Sequence, residues 1–158
     1  EWVGTPQVLT LDWNGMSVTF LNFHTLPTSP MPWRVEWSIR ERERQAQAIA
    51  DLVAARRGPF VSAGDFNATD QSVAYAIVTN VLRDAWREAG WGLGHTFPGA
   101  ASVGNPHLVY FSIPMPMWLV RIDYIFHSRH WQAVSTWIGP WDGFSDHRPI
   151  VVRLGLRD

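Results

Sequence analysis

Two runs of alternating side chains meet at an Asn-Gly pair near the start of this chain, and that junction constrains the fold most. Val8 to Trp13 alternates, Met16 to Phe23 alternates again, and Asn14-Gly15 lies between them. A type I′ turn needs positive φ at both central residues, and Asn-Gly supplies it at low steric cost. A β-hairpin is therefore expected. Strand side chains repeat every two residues, so Val18, Phe20, Asn22 and His24 share one face. The apolar pair packs, and Asn22 and His24 emerge at the strand's end.

A proline-rich loop follows, with Pro27, Pro30 and Pro32. Ser38-Ile39-Arg40-Glu41 reads as a capping box that starts a helix. Ala46, Ile49, Leu52 and Val53 give that helix an apolar stripe, and Gly58-Pro59 stops it. Phe60 to Ala63 is a short apolar strand running into Gly64-Asp65-Phe66-Asn67. A second helix is expected over Ser72–Leu82, with Val73, Ala76, Ile77 and Val81 inward. Asp84–Ala89 either extends it or forms its own turn, and Gly90 ends it. Gly92 to Pro116 reads as a long loop. Leu119–Phe126 is a strand with Ile122, Tyr124 and Phe126 on one side, Arg121 and Asp123 on the other. Trp131–Ile138 and Pro149–Leu154 are further strands, joined through a loop at Gly143–His147. No internal repeat or boundary interrupts this mixed α/β pattern, so one domain is expected over residues 1–158.

Composition narrows the function classes. At 46% hydrophobic and 17% charged residues the chain is globular in character. A formal net charge of -1 argues against tight, non-specific nucleic-acid binding, which draws on a basic excess. The absence of cysteine excludes disulfides and thiolate metal sites. Compartment is not legible. The most apolar stretch, Leu108–Val120, contains Pro114 and Pro116 and is too short to span a bilayer. Ten tryptophans are unusual at this length. Core packing and loop anchoring is the favoured reading, against an exposed aromatic binding rim. His95, His107, His127 and His130 are read as surface or loop histidines.

Four segments place Asp, Asn or His at or just beyond a strand end: Asn22-Phe23-His24, Gly64-Asp65-Phe66-Asn67, Arg121-Ile122-Asp123-Tyr124 and Ser145-Asp146-His147-Arg148-Pro149. Strand ends of α/β sheets form ligand clefts. Carboxylates, an amide oxygen and imidazoles suit a hard divalent cation. Each segment alone also has an ordinary reading: a turn at Asp65 and Asn67, a surface ion pair of Asp123 with Arg121 or Arg148, a loop cap at Asp146 and His147. Together and in this order they resemble the endonuclease/exonuclease/phosphatase family, over about Leu9 to Leu154.

That resemblance implies a two-sheet β-sandwich flanked by helices, of deoxyribonuclease I-like α/β (α+β) type, and a metal-dependent phosphoesterase. It implies Mg²⁺ (or Mn²⁺) as cofactor, with Asp65, Asn67, Asp146 and His147 as the metal-binding set. His147 is the implied general base or transition-state stabiliser, with Asp123 fixing its tautomer. His24 is the implied second histidine at the phosphate or leaving group, and Asn22 and Asn67 support the substrate. Asp84 and Thr96-Phe97 resemble family positions that support the core and the substrate loop. The pattern departs from the family at the start. The usual early Asn and metal-binding Glu are not found before the hairpin, and Glu1, Glu36 and Glu41 stand in the wrong context. The domain is thus expected to be incomplete at its N-terminus, with self-association or another chain covering the surface so exposed. A phosphodiester in nucleic acid is the leading substrate. A lipid or small phosphate ester is the alternative, since Leu108–Trp118 suits a membrane interface, with burial of that loop as its ordinary reading. A catalytically inactive fragment used for binding or assembly is the third reading.

Overall fold

The hairpin forms as expected. A computed structural model describes residues 2–99, 109–110 and 112–157. Strands β1 (Gln7–Trp13) and β2 (Met16–His24) pair antiparallel, with Asn14 at φ 54° and Gly15 at φ 80°. The Gly15 N–H donates to the Asp12 carboxylate at 2.7 Å, which closes the turn.

Helix α1 (Val35–Ala54) carries the chain back so that β3 (Phe60–Asp65) joins β2 in parallel. Helix α2 (Val73–Thr79), the two-residue strand β4 (Arg83–Asp84) and the short helix α3 (Ala85–Ala89) follow. A small hairpin, β5 (Val109–Tyr110) and β6 (Ile113–Pro114), precedes β7 (Asp123–His127), β8 (Trp131–Ile138) and β9 (Ile150–Leu156). The main sheet runs β1-β2-β3-β7-β4, and β8-β9 form a second sheet.

The main sheet buries both faces. Against the helices, Leu21, Phe23, Phe60, Tyr124 and Phe126 pack with Ala46, Ile49, Ala74, Val78 and Leu82. Toward the second sheet, Val18 and Val61 meet Trp131, with Phe20, Ile125 and Leu154 around them. Beyond that contact an apolar cleft of about 570 Å³ stays open between the sheets, lined by Leu11, Trp13, Phe20 and Val152.

Long-range packing overrides several local signals. Ser38 does not cap α1, which begins three residues earlier behind a 3-10 turn at Pro32–Arg34. Its buried hydroxyl donates to the Val35 carbonyl and accepts from the Ser29 N–H. In α2 the inward residues are Ala74 and Val78, followed beyond its end by Leu82; Val73 is 61% and Val81 41% exposed. The helix is rotated because Tyr75 reaches the Asp84 carboxylate at 2.9 Å. Arg121 turns inward onto Asp84 at 2.8 Å and over the Tyr124 ring. His127 is fully buried in β7, with Nε2 2.8 Å from Glu88, so it is no surface histidine. His107 lies outside the described residues, as do residues 100–106 of the long loop. The tryptophans also depart from expectation. Trp86 and Trp131 are buried, whereas Trp13, Trp33, Trp37, Trp91 and Trp137 are exposed.

Candidate active site

Register across three strands assembles the site. His24, at the end of β2, lies opposite Asp65, at the end of β3, and Asp65 lies opposite Asp123, at the start of β7. Side chains in register on neighbouring strands point to one face, so the three meet. β2 and β3 approach closely where Gly64 stands: a Cβ there would sit 1.8 Å from the Phe23 carbonyl oxygen.

Asp65 is held in place by the residues around it. Its Oδ1 accepts the Asn67 N–H at 2.8 Å, and its Oδ2 accepts from the Asn67 side-chain amide at 3.1 Å. The same amide donates to the Thr25 carbonyl at 2.9 Å, which fixes Asn67 at its left-handed φ of 47°. Asn tolerates that region better than most residues. Thr25 is fully buried, donates from its hydroxyl to the Phe66 carbonyl, and gives its N–H to the Asp65 carbonyl. Gln45 and Arg42 of α1 clamp the following Leu26 through its N–H and carbonyl, both at 2.9 Å. Sequence reasoning missed this support layer of Thr25, Arg42 and Gln45, whose partners are remote in the chain.

The loop before β9 delivers the histidine. Asp142 accepts the Phe144 and Ser145 N–H groups at 2.9 and 3.0 Å, and the Ser145 hydroxyl accepts the His147 N–H at 3.0 Å. Gly99 donates to the Asp146 carbonyl at 2.6 Å, and Arg148 donates its N–H to the Thr96 carbonyl at 2.9 Å. His147 Nδ1 then stands 2.7 Å from Asp123 Oδ2. Its Nε2 faces Asp65 Oδ2 at 3.9 Å and Asp146 Oδ1 at 4.0 Å. The Phe97 ring packs on the imidazole, 4.8 Å between centroids. On the other flank His24 Nε2 lies 3.3 Å from Asp65 Oδ2.

Five of the seven residues expected from the sequence therefore converge: His24, Asp65, Asp123, Asp146 and His147. Asn67 stands behind Asp65 as its support. Asn22, 3.4 Å from Gln7, lines a neighbouring polar cavity with His24 and Asp65. Asp65, Asp123, His147, Asp142 and Arg148 line a cavity of about 420 Å³.

The electrostatics are those of a site short of positive charge. Burial pushes the Asp65 carboxyl above its usual pKa, the Asp123 charge adds to this, and the Asn67 N–H and the two histidines only partly offset it. Burial works against the charged His147 imidazolium. The Asp123 hydrogen bond and the charges of Asp123, Asp65 and Asp146 outweigh it, so the His147 pKa lies above the ordinary value. Mg²⁺ takes one or two carboxylates and keeps several waters, and Asp65 and Asp146 could offer two. Among the described residues, no three acidic or histidine side chains form a ready-made cage. Asn67 has given its amide hydrogens to Thr25 and Asp65, leaving Oδ1 as the atom it could offer.

A family model described as the endonuclease/exonuclease/phosphatase family matches residues 3–147. No curated protein matches. Among solved structures, an endonuclease/exonuclease/phosphatase from Beutenbergia cavernae is 26% identical, covering 96% of this chain and 39% of that one, with TM-score 0.68. A protein of the same description from Bacteroides vulgatus is 24% identical over 90% of this chain and 51% of that one, with TM-score 0.64. D. rerio TDP2 in complex with a single-strand DNA product is 17% identical over 95% of this chain and 61% of that one, with TM-score 0.69. The chain spans about half the length of the solved structures it matches.

Proposed function

The chain belongs to the endonuclease/exonuclease/phosphatase family, and on that premise we propose that its site hydrolyses phosphoester bonds by attack of water on phosphorus. The carrying observation is the His147–Asp123 contact at 2.7 Å, with His147 Nε2 directed toward Asp65 and Asp146. A carboxylate accepts, so Nδ1 donates to Asp123 and the neutral ring keeps its lone pair on Nε2. Nε2 takes a proton from the attacking water, and Asp123 stabilises the imidazolium that forms. His24, on the opposite flank of Asp65, contacts the phosphate and assists the leaving oxygen. Asn22 and Asn67 support the substrate edge. Asp65 and Asp146, with Asn67, hold the divalent cation, Mg²⁺ or Mn²⁺. When bound, it neutralises charge on the phosphoryl oxygen and lowers the barrier to attack.

A phosphodiester, in nucleic acid, is the leading substrate. One observation favours a lipid phosphoester as the second reading. Val109 is 51%, Ile113 65% and Met117 39% exposed, so the apolar loop is not wholly buried and suits an interface.

Hydrolysis of bis-p-nitrophenyl phosphate with Mg²⁺ or Mn²⁺ tests the proposal. Turnover should be abolished by EDTA and cut by at least about a hundredfold in Asp65→Asn. Turnover that survives EDTA would refute the metal-assisted reading, and no turnover in a folded sample would favour a binding role.

A further inference from the structure

Arg148 follows His147 directly and lines two cavities at once. One is the catalytic cavity. The other, about 320 Å³, is walled by Trp86, Trp91, His95, Trp137 and Arg148. That is the lower end of the size range of small-molecule sites.

The second cavity is built from unusual parts. Trp91 is 93% and Trp137 45% exposed. The turn carrying Trp91 is anchored from beneath. Buried Trp86 donates from its indole N–H to the Gly92 carbonyl at 3.1 Å, and its ring lies so close to Gly94 that a Cβ there would approach to 2.4 Å. Trp91 therefore stands out on a fixed turn, an exposure that nothing in the fold requires. His95 Nδ1 lies 2.6 Å from the Trp118 carbonyl. A carbonyl only accepts, so Nδ1 carries the proton and Nε2 of the neutral ring is an acceptor. The Arg148 guanidinium stacks on Trp118 at 4.2 Å and donates to the His95 carbonyl. No acidic side chain pairs with it among the described residues, and its Nε is buried without a partner. Arg148 brings a positive charge to the rim of the catalytic cavity.

We propose that this cavity is a nucleobase subsite. Trp91 and Trp137 stack the base, His95 Nε2 accepts from its exocyclic amine, and Arg148 faces the phosphate that links base to scissile bond. Two indole faces, one acceptor and one cation with no acidic partner among the described residues match a nucleotide unit. They match an acyl chain poorly, because an acyl chain has no use for the cation or the acceptor. The acceptor favours the bases that carry a donating exocyclic amine, adenine, cytosine and guanine, over thymine and uracil, which have none. The inference rests on the phosphoesterase reading and supplies its substrate class.

The test compares two diesters with one leaving group, 2′-deoxycytidine 5′-(p-nitrophenyl phosphate) and methyl p-nitrophenyl phosphate. Trp91→Ala and Trp137→Ala should each lower kcat/KM about ten- to a hundredfold for the nucleoside ester and leave the methyl ester unchanged. Circular dichroism confirms that the variants fold. In parallel, a labelled deoxycytidine hexamer is titrated in EDTA against an abasic hexamer. The base-bearing strand should bind more tightly in the wild type and lose that margin in Trp91→Ala. Equal hydrolysis of both esters, or equal binding of both hexamers, would overturn the subsite while leaving the catalytic reading intact. If neither ester turned over, the catalytic reading would fail and the titration would still decide the subsite. Phosphatidylcholine vesicles that bind more tightly than the hexamer, with binding lost in Trp91→Ala, would overturn it in favour of a lipid.

Discussion

Phe66 stands between Asp65 and Asn67, and replacing it tests whether the site's strand end is anchored in the core. The ring is fully buried. It meets Phe23, Tyr124 and Phe126 edge-on, at 5.8, 5.8 and 5.9 Å with interplanar angles of 79°, 79° and 76°. Phe66→Leu keeps most of the buried apolar surface and removes these three pairs. Each aromatic pair adds about 0.5–1.5 kcal/mol beyond burial, so three give roughly 1.5–4.5 kcal/mol if they add. Pairs that share one ring do not add fully, and a loss of about 1–3 kcal/mol is expected. At roughly 2–4 °C per kcal/mol for a domain of this size, Tm falls by about 2–12 °C. Urea unfolding followed by circular dichroism reads the same loss as a lower midpoint with an unchanged slope. The backbone bond from the Phe66 N–H to the Ile122 carbonyl, at 2.7 Å, is retained in the variant, so the secondary structure should persist. A loss below about 0.5 kcal/mol would refute the claim that this cluster fixes Asp65 and Asn67.

Other substitutions probe separate links. Asp123→Asn removes the contact that does most to raise the His147 pKa. The general base must be unprotonated, so the acid limb of kcat/KM should move to lower pH while the plateau falls about 10²–10⁴-fold; an unmoved limb would contradict the assigned base. Asn67→Ala loses two side-chain hydrogen bonds, and with them the local bonding that makes φ 47° tolerable, and should cost about 2–3 kcal/mol. Asn67→Gly recovers about 1 kcal/mol of strain and should still bind Mn²⁺ weakly in a titration; full recovery of affinity would show the amide to be dispensable. Tyr75 has its pKa pushed up to about 12 by burial and by Asp84. A raised folded pKa favours the protonated phenol, so its stabilisation is full below pH 10 and is lost as pH rises toward 12. Tyr75→Phe should therefore flatten the alkaline unfolding curve, and an unchanged curve would count against that coupling.

Local signals carried much of this molecule. Asn14-Gly15 sets a hairpin because the turn chemistry and both alternating strands agree. The convergence of His24, Asp65, Asp123, Asp146 and His147 was legible because each sits in a short segment at a strand end. The misreadings share one cause: the deciding partner is remote in sequence. The inward face of α2 depends on Tyr75 meeting Asp84, and the start of α1 on the loop that binds Ser38. His127 reads as a surface or loop histidine until Glu88 is brought against it. Thr25, Arg42 and Gln45 carry no motif: the pairing of β2 with β3 brings Thr25 to Asp65, and α1 brings Arg42 and Gln45 to Leu26. The tryptophans show the limit of composition. Trp91 and Trp137 have the sequence character of core residues, and only the turn around Trp86 holds Trp91 in solvent.

The most direct test of the central claim is the rate of diester hydrolysis by His147→Ala beside the wild type, with Mg²⁺ present and folding verified by circular dichroism. Nε2 of His147 is assigned as the atom that takes the water proton, so the variant should lose about 10²–10⁴-fold in kcat with its metal affinity largely kept. A variant that turned over as fast as the wild type would contradict the account and move the search for the base to another residue.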